Sequence, residues 1–321
     1  MKINDIRPNR IMRGAKQAYE KDLELYQQQH SKFLVRSCPG CGSNNFNFFC
    51  KHRDFSFTRC RSCWTVFMNP GPTNEIVSQL YKTSNTYEYW GKYVYPFSAE
   101  KRHLELNIPR ANYVINAIGN LQHKSFRALE FGAGTGDFIT YFQKQTPYCD
   151  AYAVEPNPAM WEAYEGTKVK LIKSSLEKID NLEKNNKFDL VIAFEVLEHL
   201  LKPELLFERA QNLLSPGGKL IVSTPNSLSL EISIMRDLSN TLDIEHISVI
   251  SAPAVHALAA KYGFKVVQID TPGQLDIELL RNKKCFKYFF PNLPYFKQKI
   301  QKFVSDNGFS SHMKFVLELN P

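Results

Sequence analysis

The chain has 321 residues, of which 43% are hydrophobic and 22% are charged, so its composition is that of a globular protein and excludes a disordered one. Its 40 Lys and Arg residues against 32 Asp and Glu give a formal net charge of +8, which allows an anionic partner without identifying one. No apolar run approaches ~18 residues, and the N-terminus lacks the apolar core of a secretory signal. We therefore expect a cytoplasmic protein with no membrane span.

A polar helical pattern from Ala15 to His30 fills most of the N-terminal segment, residues 1–32. The next segment, residues 33–70, carries two C-x₂-C pairs with eighteen residues between them. This doubled spacing is typical of a zinc ribbon, in which each pair points two sulfurs at one metal from a tight turn. Four thiolates leave no open position on the metal, so the spacing predicts a structural zinc. The predicted ligands are Cys38, Cys41, Cys60 and Cys63.

Two alternatives for these cysteines are disfavoured. A disulfide framework does not suit a cytosolic chain, and no βαβ pattern surrounds the pairs as in a thioredoxin-like redox protein. The unpaired Cys50, Cys149 and Cys285 are expected to be core thiols.

A helical connector is predicted over residues 71–125, beginning at an Asn-Pro-Gly-Pro turn. It is rich in aromatic side chains that are candidates for stacking on a sugar or base, with core packing as the alternative. These are Tyr81, Tyr87, Tyr89, Trp90, Tyr93 and Tyr95.

The most informative run is Leu129 to Asp137, where a buried strand ends in an acid and is followed by three glycines at alternate positions and a helix start. Each glycine removes a Cβ where the backbone turns or approaches a ligand, and the helix N-terminus offers free N–H groups. The spacing is G-x-G-x-G, and Asp137 stands where a dinucleotide fingerprint has its third glycine. Nicotinamide and flavin cofactors are therefore disfavoured.

The rest of the chain alternates between apolar strands and helical patterns. The second strand, 151–154, ends at Glu155, where a carboxylate can accept both hydroxyls of a ribose. Further strands are predicted at 168–172, 188–194, 219–226, 266–270 and 313–319, with a helix from 203 to 214 and a Ser-Pro-Gly-Gly break after it. This order predicts an α/β fold with a doubly wound, mainly parallel sheet.

The glycine run, the segment FEVLEHL and the segment LLSPGGKLIVSTPN together resemble the class I S-adenosylmethionine-dependent methyltransferases, over residues 125 to 270. The resemblance implies a Rossmann-like seven-stranded sheet within residues 126–321 and S-adenosylmethionine (SAM) as the cofactor. The positions that it implies for cofactor binding are Glu130, Gly132, Ala133, Gly134, Gly136, Glu155, Asn157, Ser175, Leu176 and Glu195.

Together with the cysteine module, the chain resembles the zinc-containing sugar methyltransferases, including the sugar C-methyltransferases. This resemblance implies a nucleotide-linked or polysaccharide-precursor sugar as acceptor. It also implies that His246 is the general base and Glu245 its neighbour, because Asp243 to Ser248 matches the family's Tyr-x-Glu-His-Ile-Ser segment. Asp243 departs from the family's tyrosine, and His199 in VLEHL competes for the role of base. His256, in a helical pattern, is expected to be structural.

We do not expect the third domain of the antibiotic-sugar C-methyltransferases after the predicted strand 266–270, so carbon, oxygen and nitrogen acceptors all stay open. A basic aromatic insertion over residues 281–312 has three further interpretations besides a solvated segment: a lid for a phosphorylated substrate, contact with an anionic membrane face, or a single-stranded nucleic-acid contact. An RNA methyltransferase and a non-catalytic SAM-binding protein are the alternatives for the whole chain. Nucleic acid is disfavoured, because neither an Asn/Asp-Pro-Pro-Tyr/Phe motif nor a Pro-Cys pair is present.

Overall fold

The computed structural model describes residues 9–179, 187–275, 280 and 294–321. Its strands in chain order are β1 (Phe46–His52), β2 (Phe55–Cys60), β3 (Val66–Met68), β4 (Phe126–Phe131), β5 (Cys149–Val154), β6 (Lys170–Ile172), β7 (Phe188–Phe194), β8 (Leu214–Pro225), β9 (Ser248–Val249), β10 (Phe264–Asp270) and β11 (His312–Leu319). The α-helices in the described ranges are α1 (Asn9–Gln28), α2 (Asn74–Thr83), α3 (Asn85–Tyr89), α4 (Tyr95–Arg102), α5 (Ile108–Ile118), α6 (Asp137–Gln145), α7 (Glu204–Leu213), α8 (Leu230–Met235), α9 (Ala252–Lys261) and α10 (Pro294–Asp306). Among these helices, none combines the length and the apolar character needed to cross a membrane.

The chain divides into two compact units. The first comprises the described residues up to Phe33, Pro72–Ala193 and Asn212–Lys219. The second comprises Leu34–Gly71, Phe194–Gln211 and Leu220–Pro321. The cysteine module therefore lies in the second unit, whereas the helical connector and the glycine run lie in the first.

The first unit is built on parallel strands in the order β7-β4-β5-β6. Glu130 pairs with Ala153 and Phe131 with Val154, so β4 and β5 end side by side. The polar residues that follow the two strands therefore meet at one edge, where ligands bind in open α/β sheets. β7 is buried along almost its whole length, which explains its continuous apolar sequence.

The second unit holds an antiparallel sheet in the order β1-β2-β3-β9 and the antiparallel pair β10 and β11, which neighbours β8. The large sheet counts seven strands and is mostly parallel, which confirms the predicted α/β, Rossmann-like architecture. In the small sheet Phe67 of β3 pairs with Ser248 of β9. The cysteine module is thereby hydrogen-bonded to the segment that directly follows His246.

The N-terminal helix α1 has a polar sequence, and one of its acidic residues is buried against the rest of the first unit. The carboxylate of Asp22 accepts hydrogen bonds from the backbone N–H groups of Asn85 and Thr86 and from the hydroxyl of Ser84. These groups form the N-terminus of α3, whose free donors favour an acid. The helix is thus anchored to the connector.

Two elements differ from the predicted ones. β8 begins at Leu214, so the Ser-Pro-Gly-Gly segment expected as a break is part of the strand. The basic aromatic insertion lies partly outside the described residues, at 281–293. Its continuation is α10, whose Phe296 and Ile300 pack against the buried cluster of Met235, Leu275, Leu280 and Val304, so this helix is not simply solvated.

Candidate functional site

The glycine run in the first unit forms the turn that its spacing predicts. Gly132, Gly134 and Gly136 all have positive φ, at 61°, 55° and 73°. A Cβ at Gly134 would meet no atom within 4 Å, whereas a Cβ at Gly136 would lie 2.6 Å from the ring of Tyr164. The second and third glycines therefore have different roles. Gly134 borders open space, and the missing Cβ of Gly136 leaves room for the ring of Tyr164.

The carboxylate of Glu155 holds the glycine loop in place. One oxygen accepts the N–H of Gly134 at 2.8 Å, and the other accepts the N–H of Asn157 at 2.8 Å. Burial raises the pKa of Glu155, and the two backbone bonds oppose that rise. The sequence predicts this carboxylate as a ribose acceptor alone; the structure adds a loop-bracing function, and each oxygen keeps a second lone pair for a ligand.

Glu130 is a buried acid with an oxygen, Oε2, that has no hydrogen-bond partner among the described residues. Burial raises its pKa to about 8, partly offset by the charge of Arg110. The side chain is therefore mainly protonated at neutral pH. An unpartnered polar atom in such a place costs free energy, which is expected where a ligand supplies the partner.

Tyr164 belongs to the same site and was missed by sequence reasoning. Its hydroxyl donates to the carbonyl of Gly134 at 3.0 Å while its ring lies against Gly136. Nearby, the indole N–H of Trp161 donates to the carbonyl of Glu155 at 3.1 Å. Both residues belong to a short 3₁₀ segment, Pro158–Tyr164, with no periodic signal, so nothing in the sequence marked them.

The remaining predicted cofactor positions of this unit follow the neighbouring strand ends. The side chain of Asn157 caps the 3₁₀ segment by accepting the N–H of Ala159. The N–H of Glu155 donates to the carbonyl of Ile172 at 3.2 Å, which places the end of β6 beside Glu155. Ser175 and the buried Leu176 come just after this point.

In the second unit the four predicted zinc ligands converge on one point. One sulfur atom from each of the four lies within 4.8 Å of the others, and the closest pairs are Cys38–Cys63 at 3.5 Å and Cys41–Cys60 at 3.6 Å. Sulfurs bound tetrahedrally to one zinc lie about 3.8 Å apart, so the cluster fits the metal. These distances are far longer than a disulfide bond. Cys50, between the two pairs, is buried outside the cluster.

The two cysteine turns use glycines for different reasons. Gly42 has φ of 74°, whereas a Cβ at Gly40 would lie 2.4 Å from Oγ1 of Thr65. Hydrogen bonds from the Cys38 thiol, and then from Thr65, lower the pKa of Cys63 to about 5 against the effect of burial. This environment favours the thiolate form, which is the form that binds zinc.

The second unit also brings together the two histidines that the sequence set in competition. The rings of His199 and His246 are 4.8 Å apart between centroids, and Nε2 of His199 lies 4.0 Å from the carboxylate of Glu198. His199 is the last residue of a single 3₁₀ turn, Leu197–His199. The two residues are thus members of one cluster and not alternatives.

Asp243, the position that departs from the family segment, organises the loop around His246. Its Oδ1 accepts the N–H groups of Glu245 and His246, at 2.8 and 2.7 Å. The expected neighbour Glu245 contributes its backbone carbonyl, which accepts from Nδ1 of His199 at 3.1 Å. The carbonyl of Thr241 accepts from Nδ1 of His246 at 2.8 Å in the same way.

The two histidines have opposite electrostatic environments. Burial, together with the charge of His246, lowers the pKa of His199 to about 3. Burial also acts to lower the pKa of His246, but Asp243, Glu198 and Glu245 outweigh it and raise the value to about 9. Burial raises the pKa of Glu198 to about 7. At neutral pH the pair therefore holds one neutral and one protonated ring.

Glu195, predicted to bind cofactor, lies in the second unit with its carboxylate already engaged. It accepts from the hydroxyl of Ser223 at 2.6 Å and pairs with Nε2 of His312 at 3.2 Å. His312 was not singled out from the sequence. The exposed His256, on α9, is outside the cluster.

Comparisons with known proteins agree with this geometry. The model of a family described as "Methyltransferase domain" matches residues 99–269, more than half of the chain. Malonyl-[acyl-carrier protein] O-methyltransferase 1 of Ilyobacter polytropus is 26% identical over 205 residues, covering 61% of this chain and 69% of that protein. Ubiquinone biosynthesis O-methyltransferase of Vibrio atlanticus is 30% identical over 127 residues, covering 38% of this chain and 52% of that protein.

Solved structures are more distant. An O-methyltransferase family protein from Burkholderia thailandensis has 12% identity and a TM-score of 0.48, covering 76% of this chain and 62% of that one. Similarity at this level carries no functional inference.

Proposed function

Because the chain belongs to the methyltransferase-domain family and is an S-adenosylmethionine-dependent methyltransferase, we propose that its small-molecule acceptor is a nucleotide-linked or polysaccharide-precursor sugar. The observation that supports a sugar is the convergence of the four cysteines, since the resemblance to the zinc-containing sugar methyltransferases depends on that module. The curated relatives are named for other acceptors, and the chain spans only about half of several of them. The identity of the acceptor is therefore the first element of the proposal to test.

The first unit is proposed to bind SAM at the glycine loop. Open space beside Gly134 admits the cofactor. Oε2 of Glu130, near the end of β4, lacks a hydrogen-bond partner that a bound ligand would supply. The free lone pairs of Glu155 suit the ribose hydroxyls, as the sequence predicts. Ala133 and the residues that follow β5 and β6, namely Asn157, Ser175 and Leu176, complete the proposed contacts.

The four cysteines are proposed to hold a structural zinc ion. All four ligand positions are filled by protein thiolates, so the metal would have no vacancy for substrate or water. Its contribution is to the folding of the module and, through β3 and β9, to the placement of the segment that carries His246.

The acceptor's proton is proposed to leave at the histidine cluster of the second unit. SAM supplies a sulfonium methyl group: the S–CH₃ bond breaks as the bond from the acceptor atom to that carbon forms, and a neutral thioether leaves. His246, with its Nδ1 held by Thr241, is the candidate base; because its pKa is raised to about 9, it takes the proton on Nε2 only in its deprotonated form, whose share grows as the pH rises toward that value. Glu245 is a positioning residue, because its carbonyl orients His199.

A transfer assay identifies the acceptor. Full-length protein is incubated with methyl-labelled SAM and a panel of nucleotide sugars, with a catechol, an acyl-carrier thioester and an RNA pool as further arms. We expect label in a nucleotide sugar and its loss in His246→Ala, while the surface variant His256→Ala keeps full activity. Label in only one of the other arms overturns the sugar assignment; a His246→Ala variant equal to wild type overturns the base assignment.

A further inference from the structure

The cluster of Glu198, His199 and His246 has more donors than an acid–base pair requires. One ligand atom of each residue lies within 4.8 Å of the others. The carboxylate of Glu198 is 1% exposed, while the side chains of His199 and His246 are 17% and 23% exposed. The carboxylate of Glu198 is therefore buried, whereas both imidazole rings are partly accessible to solvent.

The hydrogen bonds of the two rings give a second, independent observation. A backbone carbonyl only accepts, so the contacts to Glu245 and Thr241 place a proton on Nδ1 of His199 and of His246. In a neutral imidazole the lone pair is then on Nε2. Two histidines with Nδ1 fixed by a carbonyl and Nε2 free to bind have the outer-shell arrangement typical of metal ligands.

The carboxylate of Glu198 is also held by a neighbouring residue through one of its atoms. Its Oε2 accepts from the buried hydroxyl of Thr224 at 3.0 Å, while Oε1 lies 4.0 Å from Nε2 of His199. That distance is too long for a hydrogen bond. Atoms bound to one ion at ~2.1 Å lie about 3.0 to 3.4 Å apart, so donors that are at most 4.8 Å apart need to close by no more than about 1.4 to 1.8 Å to share a cation.

The surrounding charge also favours a cation. Besides Glu198, the carboxyl groups of Glu195, Asp243 and Glu245 act on the cluster; the basic groups beside it in the described residues include His312, which is paired to Glu195, and Arg36, which donates to the carbonyls of Leu201 and Ile247. A positive ion would offset the excess of acids. Two histidines and one carboxylate are a donor set for divalent first-row transition metals.

We propose that Glu198, His199 and His246 bind a divalent transition-metal ion whose open coordination positions receive the acceptor oxygen. The site differs from the four-cysteine cluster, which is closed, because three protein ligands leave room for a substrate. The proposal rests on the proposed methyl transfer and deepens it: the acceptor class becomes one with a metal-binding hydroxyl.

The ion would change how the proton leaves. A hydroxyl bound to a divalent cation is more acidic, so it gives its proton to water without a strong base. The resulting oxygen anion attacks the methyl carbon: the O–C bond forms, the S–C bond breaks, and the sulfonium becomes a neutral thioether. The metal keeps its oxidation state. His246 then acts as a ligand, and its role as base applies only to the metal-free protein.

Binding of Mn²⁺ tests the proposal without reference to turnover. Full-length protein with its zinc content measured is treated with EDTA, and Mn²⁺ is added and followed by electron paramagnetic resonance and by titration calorimetry. We expect one Mn²⁺ per chain, with affinity at least tenfold weaker in His199→Ala and in the near-isosteric Glu198→Gln. Zn²⁺ and Co²⁺ should compete for the same site.

Two controls separate the possible results. His256→Ala removes an exposed histidine outside the cluster and should leave Mn²⁺ binding unchanged; SAM titration of the same samples reports on the first unit alone. Absence of Mn²⁺ binding in wild type, or equal binding in the ligand variants, overturns the metal site even when SAM binds. Full activity after EDTA treatment also overturns it and leaves His246 as the base.

Discussion

Buried carboxylates are the residues that distinguish this chain from a plain α/β scaffold. Glu130, Glu155 and Glu198 are only 4%, 6% and 1% exposed. Burial raises the pKa of each, because an ionised acid loses its hydration in the interior. Residues that cost stability in this way are expected where a ligand or a reaction requires them.

Glu130→Gln should change how stability depends on pH. The pKa of Glu130 is about 8 in the folded chain against 4.5 when unfolded, so the folded state holds more protons between these values. Wild-type stability should therefore fall as pH rises through this window, by about 1.4 kcal/mol per pH unit at most from this group. The variant should lose that slope, be the more stable protein at pH 8, and bind SAM more weakly.

Urea unfolding at pH 5 and pH 8 measures this effect. Glu162→Gln, at an exposed position, is the control and should follow wild type. A Glu130→Gln variant with the wild-type slope would show that Glu130 does not titrate in this range.

The glycine at 134 allows a matched comparison at the same scale. Gly134 and Gly119 have φ of 55° and 53°, and a Cβ at either would meet nothing within 4 Å. Alanine should therefore be strained at both positions; at Gly119, whose ψ is −126°, the strain should exceed the roughly 1–2 kcal/mol of the left-handed helical region, so this variant is a stringent control for backbone strain. Only Gly134→Ala places a methyl group in the proposed cofactor space, so we expect its SAM affinity to fall at least tenfold while Gly119→Ala binds normally. Equal affinities would place the cofactor elsewhere.

At the scale of elements, Arg36 ties the cysteine module to the segments that carry the histidines. Its guanidinium donates to the carbonyl of Leu201 at 2.8 Å and to that of Ile247 at 2.5 Å, and its Nε donates to Met68. Leu201 lies two residues after His199, and Ile247 directly follows His246. One side chain thus sets the spacing of the two chain segments.

Arg36→Ala should lower turnover more than it lowers cofactor affinity. Loss of the guanidinium removes a charged donor from the carbonyls of Met68, Leu201 and Ile247, of which Ile247 keeps the N–H of Met68, and should cost about 2–3 kcal/mol of stability. SAM affinity, a property of the first unit, should stay within twofold. Arg61→Ala, an exposed arginine of the same module, should change neither quantity; the proposal fails if the two variants behave alike.

The zinc proposal also belongs to this scale. Cys38→Ser should lower the zinc content by one ion per chain, measured by atomic absorption, and lower Tm because the module loses its cross-link. Cys50→Ala is the matched control, since Cys50 is buried in the same module but outside the cluster. Unchanged zinc in Cys38→Ser would refute the assignment.

For the whole molecule, each ligand should protect its own unit. SAM alone should slow backbone hydrogen exchange at 132–137 and at Glu155 to Asn157, because the loop amides become fixed around it. Mn²⁺ alone should slow exchange at 197–201 and 241–248 in the second unit. Exchange measured by mass spectrometry distinguishes the two patterns; protection of 132–137 by neither ligand would contradict the cofactor site.

Much of the fold follows from local sequence. The strand, glycine turn and helix at 126–145 are encoded by neighbouring residues, and so is each C-x₂-C turn. The length of β8 was misjudged, because a Ser-Pro-Gly-Gly segment normally ends a strand and here tertiary pairing continues it. Tyr164 was missed because its contact with Gly136 joins residues 28 positions apart without a periodic signal.

By itself, the sequence determined the α/β class, the glycine turn with its two acids, and the two cysteine pairs, because each depends on residues a few positions apart. Only the tertiary structure decided that His199 and His246 share one cluster with Glu198, and that Asp243 and Arg36 hold the loops around it. The physical reason is distance along the chain: such contacts form only when strands packed in a sheet bring their following loops together.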